Sequence, residues 1–191
     1  MKKIYWIRHG ITEGIEKHWY YGNTDMPLTE AGHAMCAAER ANWNLPEKTA
    51  YATSGMLRAE QTLEGLFGPR SHRVIPELRE MNVGEFECKT YDELKDVPAY
   101  QAWLSDATGE TRIPGGESNR EFRDRVVRGL NALLADPADE IAVVCHGGVI
   151  CAAMFYLFPE ARGSFYDWSS KPCHGYAAYF EQGRPVRFET L

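Results

Sequence analysis

Two uninterrupted apolar runs, residues 4–7 and residues 141–145, predict two central strands of a buried sheet. Neither run alternates between apolar and polar residues, which is typical of parallel strands that helices cover on both faces. Shorter apolar runs at residues 50–52 and 74–75 predict two further strands. We therefore expect an α/β fold with a mostly parallel central sheet.

The end of the chain carries a different pattern. Residues 176–181 and 185–189 are rich in apolar and aromatic residues and flank the turn sequence Gln182-Gly183-Arg184. Two such runs around a glycine-containing turn predict an antiparallel hairpin. We expect this hairpin at one edge of the sheet.

Capping residues and the helical spacing of apolar residues predict the helices between the strands. Thr29 can cap a helix that begins at Glu30 and ends by Pro46. Residues 56–67 predict a second helix, which a Gly-Pro pair ends, and residues 91–105 predict one or two short helices.

Ser118 and Glu121 form a capping-box pattern at the start of the most regular predicted helix. Apolar residues recur at helical spacing as far as Leu134, and Pro137 ends the pattern. The opposite face is charged, and we interpret it as a solvent-exposed face rather than a nucleic-acid patch, because the chain is acidic. Its residues are Arg120, Arg123, Asp124, Arg125 and Arg128.

Residues 11–28 show neither a helical nor a strand period and predict a long loop after the first strand. Loops of this length are uncommon unless they have a function, so this one is a candidate for ligand contact. Its aromatic residues Trp19, Tyr20 and Tyr21 have two interpretations. They either stack on a ligand or cover the core.

Composition limits the classes of protein that fit. The 191 residues are 44% hydrophobic and 25% charged, which predicts a single domain over residues 1–191. The net charge is −6. An acidic chain argues against partners such as nucleic acid or a membrane surface, which bind basic faces.

The five cysteines are odd in number and show no C-x-x-C spacing, so neither a disulfide framework nor a zinc site is expected. Only four apolar residues precede Arg8, fewer than a signal peptide needs. The longest apolar stretch, residues 149–158, is too short to span a bilayer, and residues 149–157 predict a helix. We expect a cytoplasmic protein.

Polar side chains with suitable chemistry follow three predicted strands. Arg8 and His9 follow the first strand, His146 follows the strand at residues 141–145, and Arg58 lies in the first turn of the helix after residues 50–52. Ligands of open α/β sheets bind beyond the carboxyl ends of the strands. These four side chains therefore predict an anion site, since arginine matches phosphate oxygens with two parallel hydrogen bonds.

Two further groups can reach the same edge of the sheet. Gly147 lies at the predicted start of a helix, where backbone amides attract anions. Glu80 lies in a loop that follows the strand at residues 74–75. The sequence has no H-E-x-x-H motif or carboxylate cluster at ligand spacing, so we expect no metal.

The same residues carry a resemblance to a known family. The motifs resemble, in order along the chain, those of the histidine phosphatase superfamily, also called phosphoglycerate mutase-like. They are Arg8-His9-Gly10 with Thr12, Gly22-x-x-Asp25-x-Pro27-Leu28-Thr29, Ser54-x-Met56-x-Arg58-Ala59-x-Gln61-Thr62, Leu78-x-Glu80-x-x-Val83-Gly84-x-Phe86-Glu87, and Val144-Cys145-His146-Gly147-Gly148.

The resemblance implies a three-layer α/β/α sandwich and a mechanism without metal or cofactor. His9 would attack phosphorus and become a phosphohistidine. Arg8, Arg58 and His146, with the Gly147 amide, would hold the phosphoryl oxygens. The remaining role, proton transfer to the departing alcohol and from water, would belong to Glu80.

The chain departs from the family at two positions. The family places Glu after R-H-G and a phosphate-binding Asn five residues beyond that glycine, whereas this chain has Ile11 and Ile15. Thr12 or Asn23 could supply the missing hydrogen bond to phosphate. The alternative for Asn23 is that it only shapes a turn.

We expect a phosphomonoesterase that hydrolyses a small phosphorylated metabolite. The Pro114-to-Ser118 segment and residues 145–150 resemble the α-ribazole phosphatase-like group, which makes α-ribazole 5′-phosphate a candidate substrate. The mutase branch typically has an additional segment and tail that this chain does not show.

Three alternatives differ in chemistry. One is phosphoryl transfer of the phosphoglycerate mutase type, and another is a non-catalytic phosphate-binding module, which Ile11 and Ile15 suggest. A cysteine hydrolase that uses Cys145 with His146 fits poorly, because adjacent residues of a strand point to opposite faces.

Overall fold

Six strands form one mixed sheet in the computed structural model, which describes residues 1–191. Their order across the sheet is β3-β2-β4-β1-β5-β6. The strands are, in chain order, β1 Lys2–Arg8, β2 Ala50–Thr53, β3 Arg73–Val74, β4 Glu140–Cys145, β5 Gly175–Glu181 and β6 Arg184–Thr190.

The register brings three strand ends to one edge. Strands β1 and β4 are parallel with Arg8 opposite Cys145, and β4 and β2 are parallel with Val144 opposite Thr53. Strands β5 and β6 run antiparallel to their neighbours on the far side of β1. The predicted parallel centre and antiparallel edge are confirmed, although β3 begins one residue earlier than its apolar pair suggested.

Seven helices connect the strands, and their caps follow the predicted residues. Thr29 accepts a hydrogen bond from the Gly32 amide at the start of the second helix, and Ser118 forms a complete capping box with Glu121. The helices are α1 Glu13–Glu16, α2 Glu30–Glu39, α3 Leu57–Phe67, α4 Tyr91–Leu94, α5 Pro98–Ser105, α6 Asn119–Leu134 and α7 Gly147–Leu157.

The helices cover both faces of the sheet. Ile4 and Trp6 of β1 pack in a larger apolar core with α6 and α7. Tyr5 and Ile7, which alternate with them, pack in a smaller core with α2 and α3. This alternation explains why β1 is apolar without a period of two, and it confirms the three-layer sandwich.

Two predictions need correction. Residues 11–28 are not free of regular structure, because Thr12 caps the short helix α1. Arg125 does not lie on a solvent-exposed face: its side chain is only 18% exposed and binds several loop carbonyls described below. No helix combines the length and the apolar character needed to cross a membrane.

Candidate active site

Strands β1 and β4 deliver two histidines side by side. The His9 amide donates a hydrogen bond of 3.0 Å to the Cys145 carbonyl, which extends the parallel pairing by one residue. The ring centroids of His9 and His146 lie 5.2 Å apart, and both residues are buried. The repeated strand-His-Gly pattern of the sequence thus forms one site.

His9 has one ring nitrogen engaged and one without a protein partner. Its Nδ1 lies 2.8 Å from the Gly10 carbonyl oxygen. Because a carbonyl oxygen can only accept, Nδ1 carries the proton and Nε2 carries the lone pair. Burial, then the positive charges of Arg58 and Arg8, holds the pKa of His9 well below its usual range, so the ring is neutral near pH 7.

His146 is held at both ring nitrogens. Arg58 Nε donates to His146 Nδ1 at 3.2 Å, so the ring proton lies on Nε2, which donates to Ser54 Oγ at 2.8 Å. Burial, followed by the Arg58 charge, also lowers the pKa of His146 well below its usual range. His146 is therefore a neutral donor in a fixed orientation.

Arg58 is fully buried in the first turn of α3. Its Nη1 donates to the Thr24 carbonyl and its Nη2 to the Gly22 carbonyl, each at 2.9 Å, and its guanidinium lies 5.0 Å from the centre of the Tyr21 ring. Three of the five guanidinium N–H groups are thus engaged, counting the bond to His146. Arg58 joins the loop before α2 to the end of β4.

Arg8 keeps donors available beside the histidines. Arg8 Nη1 donates a hydrogen bond of 2.6 Å to the Ser170 carbonyl, whereas the buried Nε has no hydrogen-bond partner. An unpaired buried donor costs about 1–3 kcal/mol, and an anion would remove that cost. The side chain passes close to Gly147, where a Cβ would lie 3.3 Å from Arg8 Nε.

Glu80 lies over the start of α7. Its Oε2 accepts from the Gly148 amide at 3.0 Å and its Oε1 from the Met81 amide at 2.9 Å. A Cβ at position 148 would lie 2.5 Å from Oε1. Glycine is therefore required at this position for the carboxylate to approach the helix so closely.

A cavity of about 320 Å³ connects these groups. Arg8, His9, Glu80 and the two glycines after His146 line its polar end. The remainder is mostly aromatic and apolar. It is lined by Trp19, Tyr20, Tyr21, Met81, Val83, Trp103, Phe122, Cys151, Phe165 and Tyr166, with the polar side chains of Asn119 and Ser169.

Arg58 and His146 lie behind the polar end, since both are fully buried. Thr12 is also fully buried, and its hydroxyl lies 2.6 Å from the Tyr21 hydroxyl. Asn23 is exposed and does not line the cavity, and its backbone amide donates a hydrogen bond of 2.8 Å to the Glu87 carboxylate. The structure thus brings His9, Arg8 and Glu80 to the cavity and leaves Thr12 and Asn23 outside it.

Glu87 organises the loop that Arg58 binds, a role that the sequence reasoning did not assign. Its carboxylate accepts the amides of Gly22, Asn23 and Thr24 at 2.8–3.2 Å and the Thr24 hydroxyl at 2.6 Å. Gly22 has no room for a side chain, since a Cβ would lie 1.6 Å from the Met81 carbonyl oxygen. The signal in the sequence was that Glu87, an acidic residue, ends the motif that contains Glu80.

Arg125 organises the segment that carries Glu80. Its Nη1 donates to the Glu77 and Arg79 carbonyls at 2.8 Å, and its Nη2 donates to the Glu80 carbonyl at 3.2 Å. Glu117 accepts from Arg125 Nε and Nη2 at 2.8 and 2.7 Å. Burial opposes ionisation of Glu117, but the bonds from Arg125 and the Asn82 amide outweigh it and leave the pKa of Glu117 below its usual range.

Other nucleophiles and ligand clusters do not offer a competing site. Cys145 is fully buried within the larger core, and burial raises the pKa of its thiol. No group of three or more histidine, cysteine, aspartate or glutamate side chains is arranged to hold a metal ion. The chemistry that the arrangement supports best is attack by a neutral imidazole on an anion held by arginine and backbone amides.

Known proteins resemble this chain over most of its length. A protein of Cronobacter sakazakii named probable phosphoglycerate mutase GpmB is 34% identical over 153 residues, which cover 77% of this chain and 70% of that protein. The adenosylcobalamin/alpha-ribazole phosphatase of Salmonella typhimurium is 28% identical over 191 residues, which cover 92% of this chain and 93% of that protein.

Solved structures also resemble this chain over nearly its whole length. The phosphoglycerate mutase of Thermus thermophilus superimposes with a TM-score of 0.75 at 29% identity and covers 99% of each chain. A structure from Escherichia coli K-12 reaches a TM-score of 0.88 over 100% of this chain and 95% of that one, and at 24% identity it supports the fold alone. Residues 4–188 match the family described as histidine phosphatase superfamily (branch 1), and the chain belongs to this superfamily.

Proposed function

We propose that this protein is a phosphomonoesterase that works through a phosphohistidine at His9. The observation that carries the proposal is the neutral His9 ring, whose Nε2 has no protein partner beside the unpaired Nε of Arg8. A nucleophile needs a lone pair, and the charge that develops on phosphoryl oxygens needs fixed donors. Both are present before any substrate binds.

The reaction proceeds in two displacements. In the first, His9 Nε2 bonds to phosphorus, the bond from phosphorus to the alcohol oxygen breaks, and Glu80 gives that oxygen a proton. In the second, Glu80 takes a proton from water, the water oxygen bonds to phosphorus, and the P–N bond breaks. Microscopic reversibility makes the same carboxyl group the acid and then the base.

The phosphoryl oxygens bind to groups that the fold has already oriented. Arg8 offers its unpaired Nε, and the Gly147 amide lies at the start of α7, where the helix dipole favours an anion. Arg58 has two N–H groups left after its three bonds, and His146 can donate its Nε2 proton in exchange for Ser54 Oγ. These positive and dipolar groups let the reaction proceed without a metal.

The alcohol part of the substrate occupies the aromatic end of the cavity. Trp19, Tyr20 and Tyr21 all line it, as an aromatic ligand would require. The Salmonella typhimurium relative bears the name of an alpha-ribazole phosphatase. α-Ribazole 5′-phosphate, which carries a flat heteroaromatic base, is therefore our candidate substrate.

Phosphoglycerate mutase activity is the second candidate, because the Cronobacter sakazakii relative bears that name. A phosphoglycerate adds a carboxylate that needs its own cation. Arg8 is the one lysine or arginine among the residues that line the cavity, and the phosphoryl group already requires it. The charges within this cavity thus favour hydrolysis of an ester whose alcohol carries no anionic group beside the phosphoryl group.

A panel of phosphoesters tests the proposal. α-Ribazole 5′-phosphate, 3-phosphoglycerate and p-nitrophenyl phosphate are each incubated with the protein in the presence of EDTA. We expect release of inorganic phosphate, fastest from the α-ribazole ester. Brief single-turnover reactions are quenched under conditions that preserve phosphohistidine, and the label is mapped by mass spectrometry to His9.

The matched control is His33→Ala, which changes an exposed histidine of α2. It is expected to behave as the wild type, whereas His9→Ala should release phosphate at least about 10⁴-fold more slowly. Turnover of His9→Ala at a rate close to that of the wild type would contradict the covalent mechanism. Isomerisation of 3-phosphoglycerate without phosphate release would favour the mutase, and binding without any turnover would favour the non-catalytic module.

A further inference from the structure

A second cavity of about 300 Å³ adjoins the first. The two cavities share one wall, since four residues line both of them. The second cavity, which we call the distal chamber, therefore lies directly beside the first. The shared residues are Asn119, Phe122, Phe165 and Tyr166.

The shared wall offers a stacking surface. The rings of Phe165 and Tyr166 lie 5.3 Å apart, and Phe155, which lines the distal chamber, lies 6.3 Å from Phe165. Tyr166 is 70% exposed although it is a large aromatic residue. An exposed aromatic side chain at the junction of two cavities is a surface on which a flat ligand ring can rest.

The distal chamber is also lined by a cation without an ion-pair partner. Arg123 lines the chamber and has no ion pair, in contrast to its neighbour Arg120, which pairs with Glu110. A Cβ at Gly109 would lie 2.6 Å from Arg123 Nη2, so this glycine leaves the guanidinium its place. The cation is thus available to a ligand.

The one carboxylate that lines the distal chamber is already satisfied. Asp106 Oδ1 accepts from the Thr108 amide at 2.8 Å and the Thr108 hydroxyl at 2.6 Å, and Oδ2 accepts from the Thr111 amide at 2.6 Å. These donors fix the carboxylate in its own loop. It does not neutralise Arg123 through a direct bond.

Helix α6 contributes residues to both cavities. Asn119 lines both cavities, and Arg123 lies four residues further along the same helix. The Arg123 guanidinium extends back towards Asn119, because a Cβ at Gly109 would lie 2.6 Å from Arg123 Nη2 and 3.4 Å from Asn119 Cβ. A ligand group that contacts Arg123 therefore lies close to the shared wall.

We propose that the distal chamber is a substrate subsite, in which Arg123 binds an anionic group at the far end of a phosphomonoester whose middle part is aromatic. The substrates that use both cavities are thus extended, doubly anionic aryl esters, with the phosphoryl group at His9 and the second anion at Arg123. This proposal rests on the proposed phosphomonoesterase function for the identity of the first anion.

Three synthetic esters test the subsite: phenyl phosphate, biphenyl-4-yl phosphate and 4′-carboxybiphenyl-4-yl phosphate. The remote carboxylate changes the leaving phenol little, so a rate difference between the two biphenyl esters reports contact at the distal end. We expect kcat/KM to be about threefold to fivefold higher for the carboxylated ester, as for a partly exposed ion pair. Arg123→Ala should abolish this preference and leave phenyl phosphate within about twofold.

The matched control is Arg128→Ala, which removes another arginine of α6 that does not line the chamber. It should preserve the preference. An equal loss in Arg128→Ala would show a general surface-charge effect and overturn the proposal, as would a preference that survives Arg123→Ala. Tyr166→Ala should lower kcat/KM for both biphenyl esters relative to phenyl phosphate.

Binding of the product alcohols separates a failed subsite from a failed phosphatase. The affinities of 4′-hydroxybiphenyl-4-carboxylate and 4-hydroxybiphenyl are measured by tryptophan fluorescence, which needs no turnover. Tighter binding of the carboxylate by wild type but not by Arg123→Ala supports the subsite even if no ester is hydrolysed. Equal affinities in wild type would overturn the subsite even if every ester is hydrolysed.

Discussion

The ends of β1 and β4 look alike in sequence and differ in their hydrogen bonds. Each strand ends in a buried histidine followed by glycine, and the two residues are aligned by parallel pairing. The His9 ring donates from Nδ1 to the neighbouring Gly10 carbonyl and keeps Nε2 unpartnered. His146 is held by Arg58 on one side and by Ser54 on the other.

This difference suggests distinct functions for two similar residues. A nucleophile must have a free lone pair that can approach phosphorus, whereas a group that stabilises charge works best when it is already oriented. The β1 end meets the first requirement. The β4 end meets the second, and it also positions Glu80 through the Gly148 amide.

Replacing each histidine by alanine is expected to produce the largest effects. We expect His9→Ala to reduce kcat by about 10⁴- to 10⁶-fold, as the loss of a nucleophile does. His146→Ala should reduce it by about 10²- to 10³-fold, the usual loss for one group that stabilises transition-state charge. Phosphohistidine hydrolyses in acid, so the phosphoenzyme is trapped by alkaline quenching.

The trapped phosphoenzyme should remain detectable in His146→Ala and be absent in His9→Ala. Thermal unfolding of both variants checks that the fold survives. A label that moves to position 146 in His9→Ala would show that the two histidines are interchangeable and would contradict the comparison.

Glu80→Gln tests the proton transfer that we assign to the carboxyl group held at the β4 end. The glutamine side chain has the size of the glutamate side chain that it replaces, but its amide group cannot transfer the proton. We expect phosphoenzyme formation from an alkyl phosphate to slow by about 10²- to 10³-fold, within the usual range for a general acid. With p-nitrophenyl phosphate the slowing should be less than about tenfold, because this leaving group departs without a proton. Rapid-quench kinetics measures both rates, and equal slowing with both esters would argue against the acid role.

Arg125→Ala tests whether the carbonyls that precede Glu80 must be held for Glu80 to act. The variant loses three carbonyl contacts and the pair with Glu117. We expect kcat for the alkyl ester to fall by about tenfold, a loss that corresponds to one hydrogen bond with a charged partner. KM for this ester should change less than about threefold, and kcat for p-nitrophenyl phosphate should fall less than kcat for the alkyl ester.

Arg125→Lys should recover part of the loss, because it keeps the charge but not the branched donor geometry. Arg128→Ala is the control for removing an arginine from α6. An equal loss with both esters would indicate a general effect on folding, and the positioning role would then be wrong.

The smallest expected effects concern protonation of the imidazole rings of His9 and His146. The pKa of His9 and that of His146 are lowered, chiefly by burial, so both rings should stay neutral as pH falls through 6.5. His9 and His146 bind protons in this range in the unfolded chain but not in the folded one, so their contribution makes the free energy of unfolding decrease as pH falls below about 6.5. Ring ¹⁵N chemical shifts, with free histidine in the same buffer as the reference, measure the first effect. Protonation of either ring near pH 6.5 would contradict it.

Local patterns predicted much of the fold because they record burial and capping. The apolar runs indicated β1 and β4, and the Ser118 capping box indicated the start of α6. Arg8, His9 and Arg58 could be placed at one edge, since the carboxyl ends of parallel strands share an edge.

Contacts between distant residues were the part that patterns did not predict. Glu87 binds amides 63–65 positions earlier in the chain, and a carboxylate at the end of a motif does not indicate its partners. Arg125 was assigned to a solvent-exposed face because helical spacing reports which face a residue is on, but not that a loop folds over that face. The exposed position of Asn23 depends on the loop that Glu87 holds.

The amino-acid sequence was sufficient to predict the strands, the main helices and the placement of Arg8, His9 and Glu80 beyond the ends of β1 and β4. The three-dimensional fold was needed to show that His9 keeps a free Nε2 while His146 does not, and that a second cavity, lined by Arg123, adjoins the aromatic one. The difference arises from how far apart along the chain the interacting residues lie. Strand and helix patterns depend on neighbours within a few residues, whereas the proton position on a histidine depends on whichever donors and acceptors the completed fold places beside it.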